Sequence, residues 1–239
     1  MSGPRPQRLV IEEADALTGV VAAWMAAAIA DDIGRRGRCA VALAGGHTPR
    51  PVYERLASEP LAGQVPWAGL HVYFGDERAV PPDDPASNYL MAATALLRRV
   101  PIPAAQVHRL EADRPDRDAA AREYERLLPD RLDLLLLGMG ADGHTASLFP
   151  GSAALDERAR RVLPVTAPAV PAARMTVTPP VVAAARRVAV LAAGPDKAAA
   201  VARAIEGPLR PRDVPVQLAL GGVWFLDRAA GAQLGRDAS

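Results

Sequence analysis

Four consecutive leucines, Leu134 to Leu137, stand between Asp133 and Gly138, and they constrain the fold of this 239-residue chain more than any other stretch. A strand that is apolar at every position has no wet face, so it predicts a parallel strand in the middle of a sheet covered by helices. The run breaks at Gly138, and the residues from there to Gly151 include Gly140, Gly143, Asp142, His144, Thr145 and Ser147. Such a loop, just past the carboxyl end of a parallel strand, is where open α/β sheets bind ligands.

The spacing of Gly138, Gly140 and Gly143 satisfies G-x-G-x-x-G after a strand. A dinucleotide fingerprint also needs an unbroken helix and an acid roughly 20 residues further on. Pro150 and Gly151 cut any helix short and position 163 is leucine, so no nicotinamide or flavin is expected, nor any other cofactor. Asp142, Gly143 and His144 read better as a group. A carboxylate and an imidazole on either side of a glycine can face one crevice, with the acid orienting the ring, which makes His144 a candidate general base. The alternative is that Asp142 caps the turn and His144 is an ordinary loop residue.

Strand and helix signals alternate along the chain. Leu9 to Ile11 is a short strand, and Ala14 to about Arg36 keeps helical spacing through Leu17, Val20, Val21, Trp24, Ala28 and Ile29. Cys39 to Ala44 is a second buried strand that runs into Gly45-Gly46-His47-Thr48-Pro49. Thr48 suits an N-cap and Pro49 a first helical position, so free amides at a helix start would face the same crevice and favour an anion. A plain tight turn before a capped helix is the other reading. Leu70 to Phe74 is a third strand and ends in Gly75-Asp76-Glu77-Arg78. The Arg78 guanidinium can fork onto a carboxylate, carbonyl or phosphate, or it pairs with its acidic neighbours on a solvated loop.

Ser87 begins a helix to about Arg99, Val107 to Leu110 is a short strand in which His108 is structural, and Pro115 to Leu128 is an amphipathic helix. Pro164, Pro168 and Pro171 mark loops and an edge strand. Arg174 to Thr178 is a strand, Pro180 to Ala185 a short helix, and Val188 to Ala193 a core strand. That strand ends in Gly194-Pro195-Asp196-Lys197, where a lysine in the first turn of a helix opposes the dipole and calls for a partner. Val216 to Leu220 and Val223 to Phe225 close the sheet, and Asp227 begins a last helix. The prediction is one α/β domain over residues 1–239. Its Rossmann-like, mostly parallel sheet has helices on both faces, and right-handed crossovers gather the four loops at one sheet edge.

G-x-G-x-D-G-H-T-A-S-L-F-P, from Gly138 to Pro150, resembles the signature of the 6-phosphogluconolactonases, as do Gly75-Asp76-Glu77-Arg78 and Ser87-Asn88-Tyr89. The resemblance covers nearly the whole chain. His47 departs from it, standing where serine is common. The sister glucosamine-6-phosphate deaminases share the D-G-H but carry glutamate five residues after the histidine, a position held here by Phe149. The resemblance implies a sugar-phosphate isomerase/deaminase-like fold and hydrolysis of 6-phospho-D-glucono-1,5-lactone to 6-phosphogluconate. It implies catalytic roles for His144, Asp142 and Arg78, and substrate contacts from Gly45, Gly46, Thr48, Asp76, Asn88, Gly143, Ser147, Arg174 and Lys197. Two rivals are a deaminase-like isomerase on the same scaffold and a non-catalytic sugar-phosphate sensor.

Net charge is +1 with both signs interspersed, which predicts no nucleic-acid face. The single cysteine, Cys39, lies in an apolar run and reads as a buried inert thiol. The four histidines, His47, His71, His108 and His144, lack metal-ligand spacing, so no metal is expected. No G-x-S-x-G elbow marks a serine nucleophile. The first ten residues lack the apolar core of a secretory signal, and no apolar run approaches the ~20 residues of a membrane span. A cytoplasmic monomer with no membrane partner is expected.

Overall fold

Leu134 to Leu137 lie inside β5 (Leu134–Gly138), with neighbouring strands on both sides. All four leucines are fully buried, and burying one such side chain stabilises by about 1.5–3 kcal/mol. The structure, a computed structural model, describes Pro6 and residues 8–235, and most of the opening segment lies outside the described residues. The main sheet adds β1 (Arg8–Glu12), β2 (Cys39–Leu43), β3 (Leu70–Phe74), β8 (Val188–Ala192) and β9 (Val223–Asp227), in the order β1-β9-β8-β5-β2-β3. Every neighbouring pair in it is parallel.

α1 (Ala14–Arg36) packs on β9, β2 and a second helix, α2 (Pro49–Leu56), through Leu17, Val21, Met25 and Ile29. These residues recur every fourth position and form one buried stripe. By length and composition α1 is apolar enough to cross a membrane, which differs from the sequence expectation. The alanines on its outer side raise its hydropathy, while its stripe belongs to the core. The helix stops at Gly37, whose left-handed φ of 74° lets its N–H reach the carbonyl of Ile33.

The order of strands decides where a ligand fits. From β2 the chain steps outward to β3, then returns to the other side of β2 as β5 and proceeds to β8 and β9. The direction of winding therefore reverses between β2 and β5, and their carboxyl ends diverge to open a crevice.

A second sheet, absent from the sequence reading, stands beside the crevice. β4 (Asp76–Arg78), β7 (Ala173–Val177) and β6 (Val162–Thr166) form an antiparallel layer in the order β4-β7-β6. Its register sets Asp76 opposite Thr176 and Arg78 opposite Arg174.

Other expectations fail for local reasons. Val107 to Leu110 is no strand, making only a single bridge from Val107 to Val72. Pro215–Ala219 is a 3₁₀ turn, not a closing strand. Its Gln217 is buried and donates to the carbonyls of Ala204 and Pro208. Asp227 ends β9 and is followed by turns, not a helix; its carboxylate accepts from the amides of Gly194 and Ala230. The helix after Ser87 is α3 (Asn88–Ala92), which widens into a π-turn over Ala93–Leu97. The remaining helices are α4 (Arg117–Leu127), α5 (Pro179–Ala184) and α6 (Ala198–Ile205).

Candidate active site

A cavity of about 400 Å³ lies in the crevice, lined by all four glycine-rich or charged loops. Of the residues singled out from sequence, it gathers Gly45, Gly46, Thr48, Asp76, Arg78, Asn88, His144, Arg174 and Lys197. His47 is also on the wall. Asp142, Gly143 and Ser147 do not line it; Asp142 and Ser147 bond to His144 and Asp76, which do.

His144 is fixed through one nitrogen. Its Nδ1 is 2.6 Å from Asp142 Oδ1, and the same oxygen accepts the His144 amide at 3.0 Å. An ionised carboxylate only accepts, so Nδ1 carries the proton and Nε2 is left as the basic nitrogen. Burial pushes the Asp142 carboxyl up, but the amide, charge and ring of His144 outweigh it and hold the acid below its ordinary value. The loop closes tightly on this pair: the Gly140 amide donates to the His144 carbonyl at 2.9 Å, and Thr145 Oγ1 donates to the Gly138 carbonyl at 2.8 Å. A Cβ on Gly140 would stand 2.1 Å from His144 Nδ1 and 2.5 Å from Asp142 Oδ1. Gly143 has φ 90°, so it supplies the turn between acid and imidazole.

The opposite wall is cationic. Arg78 and Arg174 face each other across β4 and β7, and Lys197 reaches in from the loop after β8. Neither acid beside Arg78 pairs with it. Glu77 is buried and instead accepts from the amides of Arg78, Asn88 and Tyr89 and from the Ser87 hydroxyl. Burial pushes its carboxyl up despite those amides. Asp76 accepts from Ser147 Oγ at 2.6 Å and from Asn88 Nδ2 at 3.1 Å. Arg78 donates to the Ala86 carbonyl, while its buried Nε has no partner among the described residues. Arg174 donates from Nε to the Pro171 carbonyl at 2.9 Å. Burial lowers its guanidinium from its ordinary value, Asp76 opposes that, and the charge of Arg78 adds to it. Lys197 meets the exposed carboxylate of its neighbour Asp196 at 2.9 Å.

The Gly45 to Thr48 loop forms the floor. Gly46 has φ 102°, a conformation that suits glycine. A Cβ on Gly45 would lie 1.8 Å from Asn88 Oδ1, so only glycine fits there. The N-cap expectation for Thr48 fails, since its backbone is already helical at φ −66° and ψ −44° and its side chain makes no cap bond. Thr48 lines the cavity instead.

Sequence reasoning did not reach the ring of Phe149, which packs 4.3 Å from the His144 ring and 5.6 Å from the Arg174 guanidinium carbon. The sequence marked Phe149 only as the residue that stands where the deaminases carry glutamate. Cys39 is fully buried at the opposite edge of the sheet, its thiol pushed up by burial and by Asp32. Among the described residues no group of three or more His, Cys, Asp or Glu is placed to hold a metal.

A parallel sheet whose switch-point crevice joins an acid–imidazole pair to a cationic wall defines an α/β protein with a site suited to a small anionic ligand. The family described as glucosamine-6-phosphate isomerases/6-phosphogluconolactonase matches residues 12–224, and the chain belongs to it. It is 40% identical to a 6-phosphogluconolactonase of Nostoc sp., over 84% of this chain and 87% of that one. It is 38% identical to the 6-phosphogluconolactonase of Mycobacterium tuberculosis, over 94% and 97% of the two chains. The solved 6-phosphogluconolactonase of Trypanosoma brucei superposes with a TM-score of 0.85 at 29% identity, over 98% of this chain and 100% of that one. A monomeric glucosamine-6-phosphate deaminase shares the fold, with a TM-score of 0.83 at 22% identity over 95% and 100% of the chains.

Proposed function

We propose that this protein hydrolyses 6-phospho-D-glucono-1,5-lactone to 6-phospho-D-gluconate. The observation that carries the reading is the cavity in which His144, backed by Asp142, faces Arg78, Arg174 and Lys197. A lactone ester needs an activated water, and an imidazole, with an ordinary value of about 6.5, suits that task near neutral pH. Nε2 of His144 takes a proton from water as the oxygen attacks C1, and Asp142 holds the resulting imidazolium. The carbonyl oxygen gains charge, which the Arg78 guanidinium and nearby loop amides stabilise. Collapse breaks the bond from C1 to the ring oxygen, and the imidazolium returns its proton to that oxygen as it becomes a hydroxyl. The new carboxylic acid loses its proton to solvent.

The phosphate end anchors the ring. Gly46, Thr48, Arg174 and Lys197 combine backbone amides, a hydroxyl and two cations, a set suited to a dianion. Gly45, Asp76 and Asn88 shape the cavity between the two ends, and Gly143 and Ser147 act by holding His144 and Asp76. The reading expects a single-domain monomer in the cytoplasm.

A pH-stat assay on freshly prepared phosphogluconolactone, corrected for spontaneous opening, tests the reading. Acid release well above the spontaneous rate is expected, with no ammonia from glucosamine 6-phosphate. Ammonia release without lactone turnover would replace the lactonase with a deaminase.

A further inference from the structure

We infer that Phe149 is a positioning residue that holds His144 and Arg174 in register with each other; the inference rests on the lactonase reading for the roles of those two groups. Phe149 is buried at 6% exposure and does not line the cavity, so its contacts with the site run through His144 and Arg174. Its ring centroid lies 4.3 Å from that of His144 with the planes tilted by 31°, and 5.6 Å from the Arg174 Cζ above its face. An aromatic face attracts a guanidinium, and it restrains a neighbouring ring by contact.

Each of the two groups needs this support. Asp142 holds the imidazole at Nδ1 alone, which leaves the ring free to swing about that contact unless a wall meets its face. Arg174 has one good side-chain bond, to Pro171, and its contact with Ser147 Oγ is long at 3.5 Å. The one buried ring between them supplies the missing restraint to both. Its backbone belongs to the loop that carries His144, since Thr145 and Leu148 bridge each other just before it. The base and the phosphate anchor are thus tied to one side chain, which fixes the span between reacting carbon and phosphate.

Phe149→Leu keeps apolar volume and removes the ring. Phe149→Tyr keeps the ring, and residue 149 borders a groove formed with Pro164 to Pro168. On phosphogluconolactone Phe149→Leu is expected to lower kcat about tenfold, as for a misplaced base, and to raise KM roughly fivefold through Arg174. Phe149→Tyr should return both to within about twofold of wild type. On unphosphorylated glucono-1,5-lactone the kcat loss should persist while the KM change disappears. Calorimetric titration with inorganic phosphate reads the Arg174 arm without turnover, and weaker binding is expected in Phe149→Leu but not in Phe149→Tyr. A wild type that binds phosphate but opens no lactone removes the lactonase reading, and the phosphate titration then decides this one. Equal behaviour of Phe149→Leu and Phe149→Tyr in all assays, or a change in only one of kcat and KM, overturns the inference.

Discussion

His144 and Asp142 work as a pair only because nothing stands beside them at Gly140. A methyl group there would overlap both side chains, so Gly140→Ala must displace the imidazole. Displacement of about 1 Å costs roughly 10²-fold in rate. Steady-state assays on the lactone should show a fall in kcat of that order in Gly140→Ala, while its thermal midpoint stays within a few degrees of wild type. Activity close to wild type would mean that the ring position is not critical. The pair was legible from sequence because acid, glycine and imidazole lie within three positions and meet whatever the rest of the chain does. Phe149 was legible only as a position without glutamate. Its contact with Arg174 spans two sheets, and no local spacing encodes that. Thr48 misled as an N-cap because the chain begins to coil one residue early, and the residue lines the cavity without capping the helix.

Glu77 is the strut of the cationic wall, joining β4 to the start of α3 through three amides and a hydroxyl. Glu77→Ala leaves those donors unpartnered in a buried place, at a cost of about 3 kcal/mol. Calorimetry should find Tm lowered by roughly 6–12 °C, and an unchanged Tm would contradict the strut. The central parallel strands were legible because β2, β3, β5 and β8 are short, largely apolar runs that each lead into a glycine, at Gly45, Gly75, Gly138 and Gly194. β4 was not, since three charged residues acquire strand structure only by pairing with β7, almost a hundred residues later. β3 carries a second element-scale device. His71 Nδ1 lies 3.2 Å from His108 Nε2, and Tyr73 stacks on His108 at 4.4 Å. Burial lowers both imidazoles, helped by the charge of Arg38 on His71 and of His71 on His108. A lowered folded value means stability that is present above the unfolded value of about 6.5 and is lost as pH falls towards the folded value. Tm should therefore drop as pH falls from about 6.5 to 5, and drop less in His108→Gln. Parallel curves for the two proteins would remove the pair from the pH response.

At the scale of the molecule, the two edges of the main sheet do different work. At the amino edge Asp133 ties β5 to α1 through Arg36 at 2.9 Å and to the start of β8 through Arg186 at 3.2 Å. Asp133 also accepts the Ala40 amide of β2 at 2.9 Å. At the carboxyl edge the reversal of winding keeps the crevice open. That convergence of loops could be read from alternating strands and helices, whereas the strand order could not, because nothing local says which two parallel strands lie side by side. A ligand held in the folded crevice should stabilise the whole chain. 6-Phosphogluconate at about 100 times its Kd should add roughly 2.7 kcal/mol, read as a rise in Tm, and gluconate at the same concentration should add far less. Equal shifts would show that the cationic wall does not select phosphate. The most direct measurement is the kcat/KM for phosphogluconolactone of wild type and of folded His144→Ala, taken in a pH-stat against the spontaneous rate. The expected ratio is about 10²–10⁴; a ratio near one would mean that the imidazole does not activate water and that the site works by other chemistry.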